Sequence, residues 1–460
     1  MAEKKKWKIP HSLAIIISVM LLASLLTYLI PAGSFERITQ AGKTIVVNGS
    51  FHQIQQTPVN PLSILTYVWA GLEGARSIIW SLLLCGGGLG IILGTGMFQG
   101  AAATLSRKAK GKGKEWAVVA FLMVVFALLC VPINLNYFIP FAPLGIVIAK
   151  AIGYDAIVGI SIIMLGGAIG FSCGAMNIAN TGTAQMIAEL PLFSGMAYRL
   201  FCMVPLTLVT ILYVLWYGKK IKKDPTKSFC YQVQSAEENF DVDNLPIFNK
   251  SHIPVAVVTV IGICYMIYVA IFAKLTMAQA AFIFMYMGLA AGIVYRMPIN
   301  TMCKEFINGV KGMAATGVMI GFAYAISNIL NAGHILDTVV FSLANTLNSV
   351  PVLLQAPAMF LMHIIINFFV TSGSGQAAIT MPIFIPVADL THMSRQVAVL
   401  AFNFGDGLCN FILPHAAATM GFVGYANIPF TQWLRFIYKL FLLWFLIGSI
   451  LLIVATMIPF

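Results

Sequence analysis

The chain has 460 residues, of which 60% are hydrophobic and only 9% charged, with a mean hydropathy of +0.91. A soluble domain carries about a quarter charged residues, so this composition excludes a water-soluble fold and predicts an all-α polytopic membrane protein. The net charge of +12 does not point to nucleic acid, because the basic residues gather in short patches beside apolar runs.

Apolar runs long enough to span, about 17–25 residues each, give about 11–13 hydrophobic segments. They fall at 12–31, 77–103, 117–134, 136–152, 155–176, 197–217, 253–273, 278–297, 312–333, 354–371, 376–390, 395–413 and 433–458. The first follows Lys4, Lys5, Lys6 and Lys8, a flank that also suits a signal peptide, with Pro31 to Ser34 as a cleavage-like sequence. Its roughly 20 apolar residues exceed a signal core, so an uncleaved helix with a cytoplasmic N-terminus is expected. Segment 32–75, with Pro58 and Pro61, is a polar excursion expected on the outside. Two further patches, Arg107 to Lys114 and Lys219 to Lys223, mark cytoplasmic ends.

The longest polar stretch, 218–252, is basic first and acidic later (Glu237, Glu238, Asp241, Asp243). It is too short for a domain and reads as a cytoplasmic linker. The expected division is 1–76, an N-terminal span and external segment; 77–217, a first repeat; 218–252, the linker; 253–297, two connecting spans; and 298–460, a second repeat. Landmarks recur at similar offsets: Gly94-Thr-Gly96 with Asn331-Ala-Gly333, Pro143 with Pro382 or Pro386, and Leu190-Pro191 before Arg199 with Ile428-Pro429 before Arg435. The basic loop 106–115 corresponds to Phe341–Val352, which has no Lys or Arg. That contrast predicts two inverted-topology repeats with re-entrant hairpins and broken helices.

Two segments break their apolar pattern in the same way. Gly174 to Asn177 and Gly407 to Asn410 are matching Gly-x-x-Asn steps, at the same offset from each other. Irregular backbone at membrane depth is tolerated only where protein buries it or it lines a wet cavity. A matched pair of broken segments points to a transporter's substrate site. In the first, Asn177, Asn180, Thr181, Thr183 and Gln185 supply neutral donors and acceptors; the alternative is that they glue helices together. In the second, Asp406 is the segment's only carboxylate. A buried membrane charge is a functional candidate by default; the alternative is an ion pair or a place at the water line.

A third group, Thr371-Ser372-Gly373-Ser374-Gly375-Gln376, reads as a hairpin tip rather than a helix centre. Its counterpart lies near Asn134, Asn136 and Tyr137. His363, Asn367, His415 and Glu189 are weaker candidates, as packing or interface residues. The eight cysteines show no metal-ligand or disulfide spacing, and no nucleotide-binding loop occurs. Neither cofactor nor metal is expected.

At these same residues the chain resembles the YfcC family of basic amino acid antiporters and C4-dicarboxylate anaerobic carrier-like proteins. The likeness runs over nearly the whole chain. It rests on Leu26 to Arg37, Leu190 to Gly195, Ser372 to Ala378 and, most specifically, Ser394 to Phe402 followed by Phe404-Gly405-Asp406-Gly407. The family belongs to the ion transporter superfamily, which implies inverted repeats, two re-entrant hairpins and a dimer as one assembly. Where the family has a Trp-Pro-Thr-Ser-Gly type sequence, this chain has Leu413-Pro414-His415-Ala416-Ala417-Ala418. Hydroxyls are lost there and a histidine is gained.

The expected function is therefore non-enzymatic: a secondary active transporter of the bacterial inner or plasma membrane. Its cargo would be a small amino acid, basic before others, with exchange or coupling to Na+ or H+. Gly174, Asn177, Asn180, Thr181, Thr183, Ser372, Ser374, Gly375, Gln376, Asp406 and Asn410 are the expected substrate ligands. Asp406 and His415 are the ion or proton candidates. The rival is a sodium- or proton-coupled carrier of C4-dicarboxylates or other organic anions. A channel is disfavoured, since no charged ring or carbonyl filter is present.

Overall fold

A computed structural model describes residues 12–40, 43–47, 49–101, 104, 115–231, 248–273, 275–347 and 349–458. The basic patches at Lys4 to Lys8 and Arg107 to Lys114, and the acidic part of the linker, lie outside these residues. Eight of the described helices are long and apolar enough to cross a membrane.

Helix α1 (Ser12–Leu29) leads to two small antiparallel ladders. Strand β1 (Gly33–Ser34) pairs with β4 (His52–Gln53), and β2 (Arg37–Gln40) with β3 (Lys43–Val46). Ladders of two to four residues give too short an alternation to read against the surrounding Gly, Asn and Pro, so the excursion was expected without strands. Helices α2 (Thr66–Gly74) and α3 (Arg76–Gly94) follow.

Helix α4 (Glu115–Leu129) and helix α5 (Ala142–Ala151) are joined by an irregular tip and a 3-10 stretch, Leu135–Phe141. Asn134 caps that stretch by accepting from the Asn136 amide at 2.9 Å. Next come α6 (Ala156–Cys173), a wide π-type turn at Ile178–Gly182, α7 (Thr183–Ile187) and α8 (Met196–Lys223). Helices α9 (His252–Phe272) and α10 (Met277–Val294) follow.

The second half runs α11 (Ile299–Ala332), α12 (Leu336–Leu347), α13 (Val352–Phe369), α14 (Gly373–Leu390), α15 (Arg395–Cys409), α16 (Ala417–Tyr425) and α17 (Phe430–Met457). Two boundaries differ from expectation for one reason. α11 starts at Ile299 rather than near 312, and α8 runs on through Lys223 rather than stopping at 217. Hydropathy sees only the apolar part of a helix, whereas lysine is a good helix former and suits a helix C-terminus.

Two packing features position the interior. Helix α3 lies along α10 and α11 through small residues; a Cβ on Gly88 would sit 2.2 Å from the Phe284 carbonyl oxygen. Such small faces let backbones approach where lipid gives no hydrophobic drive. Helix α6 has all 18 of its residues buried, as expected of a helix that is apolar all round. It packs against α4, α5, α8 and α15.

The two hairpins open at opposite ends of α8. Lys222, in the last turn of α8, lies 3.8 Å from Glu115 at the start of α4 and 4.5 Å over the Tyr154 ring beyond α5. Just before the start of α8, the Ser194 hydroxyl accepts from Gln396. Next to it Arg395 pairs with Asp389 at the end of α14, 2.8 Å, and with Glu189, 3.0 Å.

Candidate functional site

The left-handed cap Gly174 (φ +62°) ends α6 inside the protein. A Cβ there would fall 2.1 Å from Thr181 Oγ1, so the turn that follows folds tightly back on the break. Asn177 caps the π-type turn by accepting from the Asn180 amide, 3.1 Å, and this aims the Asn180 side chain at α15.

Helix α15 ends at Cys409, and its freed carbonyls are met by side chains. The Asp406 carbonyl accepts from Asn410 Nδ2 (2.7 Å) and Asn367 Nδ2 (3.1 Å). Thr419 Oγ1 donates to the Asn410 carbonyl at 2.6 Å, and Trp433 Nε1 to that of Phe411 at 2.9 Å. This is how irregular backbone survives at membrane depth.

Both breaks and both hairpin tips border one cavity of about 150 Å³. Asn134 and Asn136 reach it from the first tip, and Thr371, Ser372, Gly373 and Ser374 from the second. Asn180, Asp406 and Asn410 come from the breaks, and Leu135, Phe171, Tyr324, Phe411 and Ala416 to Ala418 complete the wall. Ser372 and Ser374 are exposed, so the cavity reaches solvent. Asp406 is the one charged residue of the wall. Its Oδ2 accepts from Asn180 Nδ2, while Oδ1 is buried without a partner.

Behind the wall stands Arg199. It is 0% exposed, the one Lys or Arg buried among the described residues. Its Nη1 donates to Asn403 Oδ1 (2.6 Å) and to the Cys173 carbonyl (3.2 Å) that ends α6. Asn403 Nδ2 donates in turn to Asn180 Oδ1 at 2.8 Å. A continuous hydrogen-bonded chain therefore joins Arg199 to Asp406 through two amides. An uncompensated buried ion costs several kcal/mol, and the chain links the buried Arg199 guanidinium to the buried Asp406 carboxyl group.

Of the expected ligands, the structure brings Asn180, Ser372, Ser374, Asp406 and Asn410 to the cavity wall. Gly174, Asn177 and Thr181 shape the break behind it, and Thr183 is buried in α7. Gly375 lies in the first turn of α14, its amide capped by Ser372 Oγ. Gln376 turns away, donating from Nε2 to the His363 carbonyl at 3.0 Å. His415 is buried with Nε2 on the Phe368 carbonyl, 2.9 Å, away from the wall.

Arg199 and Asn403 were not among the expected ligands. Arg199 sits at the third position of the expected span 197–217 and reads as an end residue. An arginine inside an apolar run was the signal that marks it.

Residues 9–457 match the family model of DcuC, the C4-dicarboxylate anaerobic carrier. The chain belongs to that family. The carrier is 30% identical to the "Putative basic amino acid antiporter YfcC" of Escherichia coli K12, over 99% of this chain and 98% of that protein. It is 24% identical to an uncharacterised protein of Haemophilus influenzae over the same shares. Among solved structures, the Alcanivorax borkumensis YdaH transporter aligns with a TM-score of 0.43 at 17% identity, covering 97% of this chain and 98% of its own. Neisseria gonorrhoeae MtrF, from a class of antimetabolite efflux pumps, aligns with 0.46 at 15%, covering 99% and 96%. The carrier is thus a multi-pass membrane protein of a transporter family.

Proposed function

We propose that this carrier is a secondary active transporter of small amino acids, basic ones before others, working by alternating access in the inner membrane with a cytoplasmic N-terminus. One observation carries the reading: the cavity wall holds a single charged side chain, Asp406, with Oδ1 free. An ammonium group satisfies that oxygen. The cargo's carboxylate meets the N-terminus of α14 at Ser372 to Ser374, where the helix dipole favours an anion. Asn134, Asn136 and Asn410 supply neutral hydrogen bonds. The name of the YfcC relative supports the same cargo class.

The hairpins' opening at opposite ends of α8 supports an inverted relation between 77–217 and 298–460, with the site between halves that rock. A coupling cation, Na+ or H+, has Asp406 as its natural ligand.

The second reading is a carrier of C4-dicarboxylates, favoured by the family match and the hydroxyl-rich tip. A dianion would face Asp406 with no Lys, Arg or His on the wall, so it needs accompanying cations. Proteoliposomes loaded with ornithine, given labelled arginine, separate the two. Exchange in the wild-type protein, lost in Asp406→Asn, supports the first. No arginine flux in either, with labelled succinate uptake under a sodium gradient, replaces it with the second.

A further inference from the structure

The hydrogen bonds between Arg199 and Asp406 have a fixed direction. A guanidinium only donates, so Asn403 must present its Oδ1 to Arg199 Nη1. That leaves Asn403 Nδ2 to donate to Asn180 Oδ1, and Asn180 Nδ2 to donate to Asp406 Oδ2. An ionised carboxylate only accepts, so both ends of the chain demand the same amide orientations. Amide orientation follows from the surrounding network, and here the guanidinium fixes it.

We propose that Arg199 is a positioning residue for the transport site, the remote counter-charge that keeps Asp406 ionised. It acts through Asn403 and Asn180 and touches no cargo. The burial agrees: Arg199, Asn403 and Asp406 are each 0% exposed and Asn180 2%. The two other buried aspartates do not share this arrangement. Asp337 pairs directly with Arg37, and Asp155 accepts from Tyr217 and Ser228.

Around Asp406 the packed elements bring, among the described residues, no second acid and no direct cation. α14 offers Ser372 and Gly373, α13 offers Asn367 and, further off, His363, and α15 itself offers Cys409 and Asn410. α6 and α8 bring Cys173 and Cys202 beside Arg199. Arg199 is therefore the one buried cation among the described residues that is hydrogen-bonded through to Asp406. Arg199 would hold Asp406 in the same way whichever cargo is carried.

The relay also predicts a conservative rescue. A single nitrogen, Nη1, serves both the Asn403 oxygen and the Cys173 carbonyl, and a lysine ammonium can serve the same pair.

The test is infrared spectroscopy of the purified full-length protein at neutral pH, with the Asp406 signal assigned by its loss in Asp406→Asn. The wild-type and Arg199→Lys proteins should show Asp406 as a carboxylate. Arg199→Gln and Asn403→Leu should each show a protonated-carboxyl band that disappears when Asp406→Asn is added. Asn403→Leu leaves the Arg199 bond to Cys173 available, so it separates the relay from simple support of the α6 end. It also keeps the test open if Arg199→Gln fails to fold. A protonated Asp406 in the wild-type protein, or an ionised one in folded Asn403→Leu, overturns the proposal. No transport is measured, so failure of the amino acid reading leaves this result intact.

Discussion

Gly373 stands directly against Asp406: a Cβ at position 373 would lie 2.8 Å from Asp406 Oδ2 and 3.1 Å from Asn180 Nδ2. The second hairpin tip thus closes on the carboxylate and amide at the heart of the cavity, and only a glycine leaves them room. It also places the first turn of α14 beside the acid, where the positive end of the helix dipole is most useful.

Gly373→Ala should therefore damage the site without unfolding the protein. A methyl at that distance must displace either the carboxylate or the Asn180 amide. We expect initial uptake in proteoliposomes to fall at least about tenfold, equivalent to about 1.4 kcal/mol, with normal monodispersity in detergent. Uptake within twofold of wild type would show that the tip does not close on Asp406 during transport.

Gln376→Leu and His415→Asn should behave differently from the cavity residues. Gln376 binds the His363 carbonyl and His415 the Phe368 carbonyl, so both tie helices together. Folded yield should drop, while the KM of the surviving protein stays within about twofold. A large KM change with unaltered yield would place either side chain at the cargo.

Asp337→Asn should loosen the segment that carries the small ladders. Asp337 accepts from Arg37 Nη2 through both oxygens, 2.9 and 2.8 Å, and from the Phe35 amide at 3.0 Å. Asp337 is buried but Arg37 is 39% exposed, so water softens the loss to about 1–2 kcal/mol. A fall of about 2–4 °C per kcal/mol in apparent melting temperature is expected, with the amplitude of Asp406-dependent uptake retained.

Much of the interior was legible because the bilayer makes polar residues conspicuous. Asn180, Asp406, Asn410 and the Ser372–Ser374 tip each interrupt an apolar run, and one cavity gathers them. Asn134 and Asn136, read only as the tip's counterpart, line it too. What stayed hidden depends on tertiary contact. Asn403 is unremarkable until α8 brings Arg199 to its oxygen, and the direction of its amide exists only in the folded network. Gln376 resembles its neighbours Ser372 and Ser374 in sequence, yet helical rotation turns it to α13.

The burial of α6 has a consequence for how this protein tolerates change. Helices α6 and α9 both qualify as membrane spans, but the window of α6 is 100% buried within the protein and that of α9 only 28%. Most of α9 faces away from the protein, and where acyl chains meet such a face they accept greasy side chains of many shapes. For α6 the surroundings are fixed neighbours at close-packed density, so exchanging Ile for Leu or Val there alters a shape rather than a solubility. A helix that reads in sequence as a lipid-facing anchor is here one whose sequence the lipid does not choose.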